Sequence, residues 1–176
     1  RLRGLLRRRE SEAAPLEVAA VVRDTLRLLR HEVAARGVHV AVAPSGPVPL
    51  VRGDRVQLQQ VLLNLLMNAV DAVEARRPGE RRVSVGWGTV REGVEVWVED
   101  NGTGIPEGDL QAIFEPFRST KAEGLGMGLT IARTLVEAHQ GRIEAMNLPR
   151  GGARFRFILP DATSHERRTG HGLHHR

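Results

Sequence analysis

The sequence predicts an α/β (α+β) domain whose helices cover one face of a mixed, largely antiparallel sheet. Three observations carry that prediction. Residues 55–73 repeat with a helical period and are apolar around most of the circumference. Residues 82–90 and 94–99 alternate apolar and polar on either side of Arg91-Glu92-Gly93. A second alternating pair, 142–146 and 153–159, follows a shorter segment of helical period.

Residues 1–10 mix leucine and arginine, as the end of a helix does when its partners lie elsewhere. Pro15 suits a first helical turn. Val18, Val22, Leu26, Leu29 and Val33 then recur at helical spacing until Gly37 supplies a stop. Val38, Val40 and Val42 alternate as in a strand, and residues 44–49 form a turn before a short strand around Leu50. Asp54 is placed to cap the long helix at its N-terminus, and Pro78 and Gly79 end it. The strands 82–90 and 94–99 read as a hairpin. A glycine-bearing loop at 101–126 holds a helical turn at 107–114. Helix resumes over 127–139, with Ile131, Leu135 and Ala138 on one face and Gly141 just past its end. In the last strand Ala153, Phe155, Phe157 and Leu159 point inward. Residues 161–176 are polar, rich in histidine and arginine, and are expected to be a disordered tail.

A chain of 176 residues, 41% hydrophobic, suffices for one core, expected over 15–160. The absence of cysteine excludes disulfides and thiolate metal sites. No apolar run reaches the length that crosses a bilayer, so a soluble, cytoplasmic piece without membrane contact is expected. The formal charge is +5, but residues 1–9 carry +5 and residues 165–176 carry +2, which leaves residues 10–164 at −2. A mildly acidic body with 3% aromatic residues does not point to nucleic acid. Of the 26 basic residues only Lys121 is a lysine, which draws attention to its position.

On the long helix, Gln57, Gln60, Asn64, Asn68 and Asp71 fall within an arc of about 80° at 100° per residue. Leucine, valine, methionine and alanine surround them, so the helix is expected to be substantially buried and its polar stripe to face a cleft or find partners. Asn64 and Asn68 are poor helix formers one turn apart, and their carbonyl oxygens are suited to a hard cation. A plain solvent face is the competing reading, although such faces are usually charged.

Asp100 continues the valine phase of 94–98 and so points inward at a strand end, where Asn101-Gly102-Thr103-Gly104 lets a ligand approach the backbone. An exocyclic purine amino group would be a suitable donor to it. A solvated turn is the alternative. Gly124, Gly126 and Gly128 lead into a helix whose N–H groups and dipole favour phosphate, and Lys121 just before them is a point charge for a terminal phosphate. No GxxxxGK[ST] sequence is present.

In this order the segments resemble the GHKL superfamily, and histidine kinases within it. QVLLNLLMNA at 60–69 is similar to the asparagine box, EDNGTGI at 99–105 to the first glycine box, IFEPF at 113–117 to the phenylalanine box and GLGMGL at 124–129 to the second glycine box. STK at 119–121 resembles the lid of nitrogen- and oxygen-sensing members. The resemblance implies a two-layer α/β sandwich that binds ATP and Mg2+. It implies that Asn68 ligates magnesium with Asn64 beside it, and that Asp100 accepts from adenine. Gly102, Gly104 and Ile105 would shape the adenine pocket; Gly124, Leu125, Gly126, Met127, Gly128 and Leu129 would line the phosphate end. Phe114 and Phe117 would anchor a lid carrying Arg118, Thr120 and Lys121.

In the ATPase branches of the superfamily the place of Asn64 belongs to a glutamate that acts as base on water; an amide cannot do this, so the resemblance favours transfer to another acceptor. Asp71 and Ala72 stand where many histidine kinases carry lysine and tyrosine. His31-Glu32 matches only the first two residues of the acceptor motif, so the phosphoacceptor is expected outside this chain. It would lie on dimerisation helices whose last turns and linker form residues 1–14. His139 is expected to favour the helix dipole, and the tail histidines are not expected to be a metal site. The implied partners are those upstream helices and a response regulator receiver domain, with a homodimeric full-length protein and a monomeric fragment. Two other readings stay open: a GHKL ATPase or serine kinase, and a pseudo-kinase adaptor.

Overall fold

The computed structural model describes residues 13–43, 46–116 and 127–162. Among them are seven strands, three α-helices and two short 3-10 turns: β1 (Ala14–Leu16), α1 (Val18–Ala35), β2 (His39–Val42), β3 (Val51–Gly53), α2 (Arg55–Ala72), β4 (Arg82–Val90), β5 (Gly93–Asp100), the 3-10 turns Glu107–Asp109 and Ala112–Phe114, α3 (Gly128–Ala138), β6 (Arg142–Asn147) and β7 (Ala153–Leu159). Five strands form one sheet in the order β2-β4-β5-β7-β6, parallel only between β2 and β4. The three helices pack on one face. This is the mixed, largely antiparallel, helix-backed sheet that the periodicities predict.

The alternation within strands decides which face the helices cover. Val83, Val85, Val94, Val96, Val98, Phe155, Phe157 and Leu159 are buried and meet Leu58, Val61, Leu62, Leu65, Leu66 and Val70 of α2. The opposite face carries charge: Glu144 accepts from Arg156 and Arg142, Glu95 pairs with Arg156, and Arg154 pairs with Glu99 while lying 4.7 Å over the Trp97 ring. Trp97 lies against Gly86, where a Cβ would come within 2.2 Å of the indole. That face needs no covering helix because its charges are paired and the arginine side chains lie along it.

The structure corrects several expectations. Pro15 does not begin a helix: it lies in β1, opposite Arg52 of β3, in a two-stranded antiparallel pair. Such a short edge strand tolerates the missing N–H of proline. The strand expected around Leu50 is Val51–Gly53, and Leu50 is exposed. The helical turn at 107–114 is two 3-10 turns. After α3 the left-handed residue is Gln140, at φ 59°, rather than Gly141. Gly141 is required for proximity instead, since a Cβ there would lie 2.4 Å from the Ile158 carbonyl oxygen. The described chain continues to Ala162: Asp161 bridges Val51 and the Ala162 N–H donates to Leu50 O at 2.8 Å, while the rest of the expected tail lies outside the described residues.

Candidate nucleotide site

Asp54 caps α2 as its position predicts, accepting from Val56 N at 2.8 Å and Gln57 N at 3.1 Å. The same residue's N–H donates to His139 Nε2 at 3.0 Å, while His139 Nδ1 lies 2.7 Å from Leu135 O. His139 therefore ties the end of α3 to the start of α2 through both ring nitrogens, and hydrogen bonding replaces the dipole role expected for it.

With α2 held in this way, its polar stripe divides. Asn64 donates from Nδ2 to Gly128 O at 2.9 Å, and its Oδ1 accepts from Gln60 Nε2 at 2.9 Å. Asn68 is half-buried one turn further on. Asp71 leaves the stripe's purpose: Arg36, at the end of α1, donates to it at 2.7 Å and also reaches Glu74 and Glu32. Along α2 the positions 64, 68 and 72 face the same way at one-turn intervals, spanning about 12 Å of helix rise. Asn64 meets the first residue of α3. The carbonyl of Ala72 meets Gly102, where a Cβ would approach it within 2.3 Å. Asn68 lies between.

At the Ala72 end, Asp100 is paired with Val83 across the sheet and is 4% exposed. Its Oδ1 accepts from Gly102 N at 2.8 Å and lies 3.4 Å from Ala153 N. The turn that follows is held on both sides. Asn101 accepts from Arg82 N at 2.9 Å and donates to Glu80 O at 2.8 Å, and Arg76 donates to Asn101 O at 2.7 Å. Gly104 adopts φ 77°, which favours glycine. Ile105 exchanges two hydrogen bonds with the Asn147 side chain. Gly152, at φ 87°, comes so close that a Cβ would lie 1.9 Å from Asp100 O.

At the other end, α3 begins at Gly128 with Met127 in the cap position and no side-chain capping bond. Its first N–H groups are the kind that an anion satisfies. A Cβ on Gly128 would meet protein atoms only at 3.9 Å, so the fold itself does not demand glycine there. Leu129 is half-buried beside it, and Thr130 donates to Phe114 O at 3.0 Å. Phe114 is buried edge-on against Phe155, with ring centroids 6.2 Å apart. Phe117, Arg118, Thr120, Lys121, Gly124, Leu125 and Gly126 lie outside the described residues. A separate cavity of about 490 Å³, lined by Leu110, Arg133, Arg142, Glu144 and others, shares only Phe114 with these residues.

The structure thus sets Gly128, the start of α3, beside Asn64 at one end of this face of α2 and Gly102, bonded to Asp100 and followed by Gly104 and Ile105, at the other, with Asn68 between them. Thr130, Asn147 and Gly152 are supports that the sequence reading missed. Among these, the GG pair at 151–152 was the one visible signal, as a turn that side chains would obstruct.

A carboxylate at one end of a helix face, a helix N-terminus without a side-chain cap at the other and Asn68 between them make an arrangement with the chemistry to take a nucleotide, on a helix-backed mixed sheet. Comparison with known proteins agrees. The family described as "Histidine kinase-, DNA gyrase B-, and HSP90-like ATPase" matches residues 53–163. The sensor histidine kinase TmoS of Ectopseudomonas mendocina is 35% identical over 161 residues, covering 90% of this chain and 16% of TmoS. Among solved structures, the catalytic domain of histidine kinase ThkA superposes with a TM-score of 0.76 at 28% identity, covering 85% of this chain and 96% of that one. Full-length ShkA in complex with AMPPNP gives 0.74 at 30% identity, covering 86% and 31%. A further structure has ThkA in complex with the response regulator TrrA, with a TM-score of 0.73 at 25% identity, covering 86% and 42%.

The chain belongs to this family, HATPase_c, as the ATP-binding catalytic domain of the sensor histidine kinase type. It spans less than a third of the length of the curated relatives named TmoS, TdiS and FixL. Among the described residues no helix is long and apolar enough to cross a membrane.

Proposed function

We propose that the domain binds magnesium-ATP and delivers the γ-phosphoryl group to a histidine outside this chain, on dimerisation helices preceding it. The phosphoryl group passes from there to an aspartate of a response regulator receiver domain. The observation that carries the reading is the state of Asn64. Its amide is engaged at both ends, by Gln60 and by Gly128 O, and it has no carboxylate with which to deprotonate water. In the transfer, an imidazole nitrogen of the acceptor attacks the γ-phosphorus. The bond from that phosphorus to the β–γ bridging oxygen breaks, ADP leaves, and the imidazole proton goes to solvent.

This chain's residues serve that step by placing the nucleotide. Asp100 accepts from the adenine amino group, Gly102, Gly104 and Ile105 wall the base, and the N-terminus of α3 takes phosphate oxygens. The donor set fits magnesium, since Asn68 offers a neutral, hard amide oxygen midway along α2 between the purine end and the phosphate end. Held there, magnesium would supply charge neutralisation to the phosphates, and the Lys121 and Arg118 side chains would add positive charge.

The test is incubation with γ-labelled ATP and a separately made upstream helical segment carrying its histidine. Label on that segment, stable to base and lost in acid, is the expected result. No transfer, acid-stable phosphoserine, or brisk ATP hydrolysis by the domain alone would overturn the proposal.

A further inference from the structure

Asn147, the last residue of β6, has no place in the four sequence motifs, yet its side chain grips the loop that follows Asp100. Asn147 Oδ1 accepts from Ile105 N at 2.8 Å, and Asn147 Nδ2 donates to Ile105 O at 2.7 Å. A side-chain amide presents the same donor and acceptor as a peptide group, so this pair reproduces, with one side chain, the two-way exchange of a hydrogen-bonded pair in an antiparallel ladder. Strand β6 is the edge of the sheet, and Asn147 uses that edge to hold a segment that is not itself a strand. The grip reaches the neighbouring residue too, since a Cβ on Gly104 would lie 3.0 Å from Asn147 Oδ1 and 3.4 Å from Gly152 O.

The loop from Asn101 to Gly104 is therefore suspended between two fixed points. At one end Asp100 is locked into the sheet and bonded to Gly102 N. At the other Ile105 is pinned by Asn147. The same β6–β7 hairpin that supplies the pin supplies Gly152 against Asp100 O, so a single turn sets both ends of the loop.

We propose that Asn147 is a positioning residue for the purine end of the nucleotide site, fixing the Gly102–Ile105 loop at the distance from Asp100 that admits the base. The proposal rests on the nucleotide reading above. Removing the amide releases Ile105 and lets the loop sample positions in which the base is held by Asp100 alone. Purine affinity then falls, while the phosphate end, held by α3 and Asn64, is untouched.

The experiment compares the wild-type chain with Asn147→Ala and Asn147→Asp by amide hydrogen exchange and by nucleotide titration. In Asn147→Ala the Ile105 amide exchanges faster while the Val83, Val96 and Phe157 amides keep wild-type rates. ATP and ADP both bind about fivefold more weakly, a size set by two partly solvated hydrogen bonds. Asn147→Asp keeps an acceptor for the Ile105 N–H but faces its carbonyl with a carboxylate, so it falls between the two and stands in for the alanine variant if that fails to fold. Equal Ile105 exchange in all three proteins overturns the pin. Faster exchange with unchanged ATP and ADP affinity overturns the positioning role. A wild-type chain that binds neither nucleotide would instead sink the nucleotide reading and leave the exchange comparison to decide the pin.

Discussion

Asp100 is the residue on which the proposed nucleotide site depends most. A carboxylate 4% exposed is costly unless it is served by donors, and Gly102 N supplies one from the loop that follows it. Asp100→Asn keeps the shape but converts one oxygen into a donor that opposes neighbouring N–H groups and no longer accepts from the base. ATP affinity should fall about 10- to 100-fold, the range for a charge-assisted hydrogen bond. Calorimetric titration, with a melting curve to show that the variant is folded, checks this; undiminished affinity would remove Asp100 from the site. The inward direction of Asp100 was readable beforehand from the valine phase of its strand. The supports around Asn101 were not, because the partners of its side chain, Glu80 O and Arg82 N, and the Arg76 guanidinium that donates to its carbonyl come together only once β4 and β5 have paired.

At the scale of elements, α2 and α3 form the frame and the segment ending at Phe114 hangs from it. Phe114 is buried against Phe155, and the hydroxyl of Thr130 holds its carbonyl, so the residues after 114 start from a fixed post. Phe114→Ala should destabilise the domain by about 3 kcal/mol, the usual cost of truncating a buried aromatic. Urea denaturation measures it, and a loss below about 1 kcal/mol would show that this post does not belong to the core. The long helices were legible because period and cap agree: Asp54 accepts from Val56 and Gln57 as an N-cap should. Strand β1 was not legible. Three residues with a central proline carry no period, and only the presence of β3 opposite them makes a strand.

For the whole molecule, the open sheet face ties charge to stability. The Arg156 guanidinium bonded to Glu144 holds its carboxyl below the usual glutamate range, with Arg142 adding to the effect and burial opposing it. A carboxyl lowered in the folded state contributes stability above its unfolded pKa, about 4.3, and loses it as the pH falls through the folded value. Glu144→Gln should therefore be less stable than wild type at neutral pH, with the gap closing below about pH 4. Denaturant midpoints across a pH series read this directly. A gap that stays constant into acid would mean that the ion pairs contribute nothing. The Glu144 side chain is 37% exposed, so solvent screens the effect and only its pH dependence is diagnostic.

By itself the sequence determined the class of fold, the inward face of each long strand and the order of the motifs, since period, caps and glycine spacing are local properties of the chain. By resemblance it also gave the expectation that Asn64, Asn68, Asp100 and Gly128 serve one nucleotide site. The tertiary structure alone decided how the polar stripe of α2 is divided: Asp71 goes to Arg36, Asn64 to Gly128 and Gln60, and Asn68 stays half-buried one turn beyond Asn64. It alone decided that a hairpin more than 40 residues away in sequence holds the loop after Asp100. The physical reason is the same for both. A side chain's chemistry is written in its own position, but the partner that satisfies it is chosen by which backbone the packed sheet and helices bring within about 3 Å.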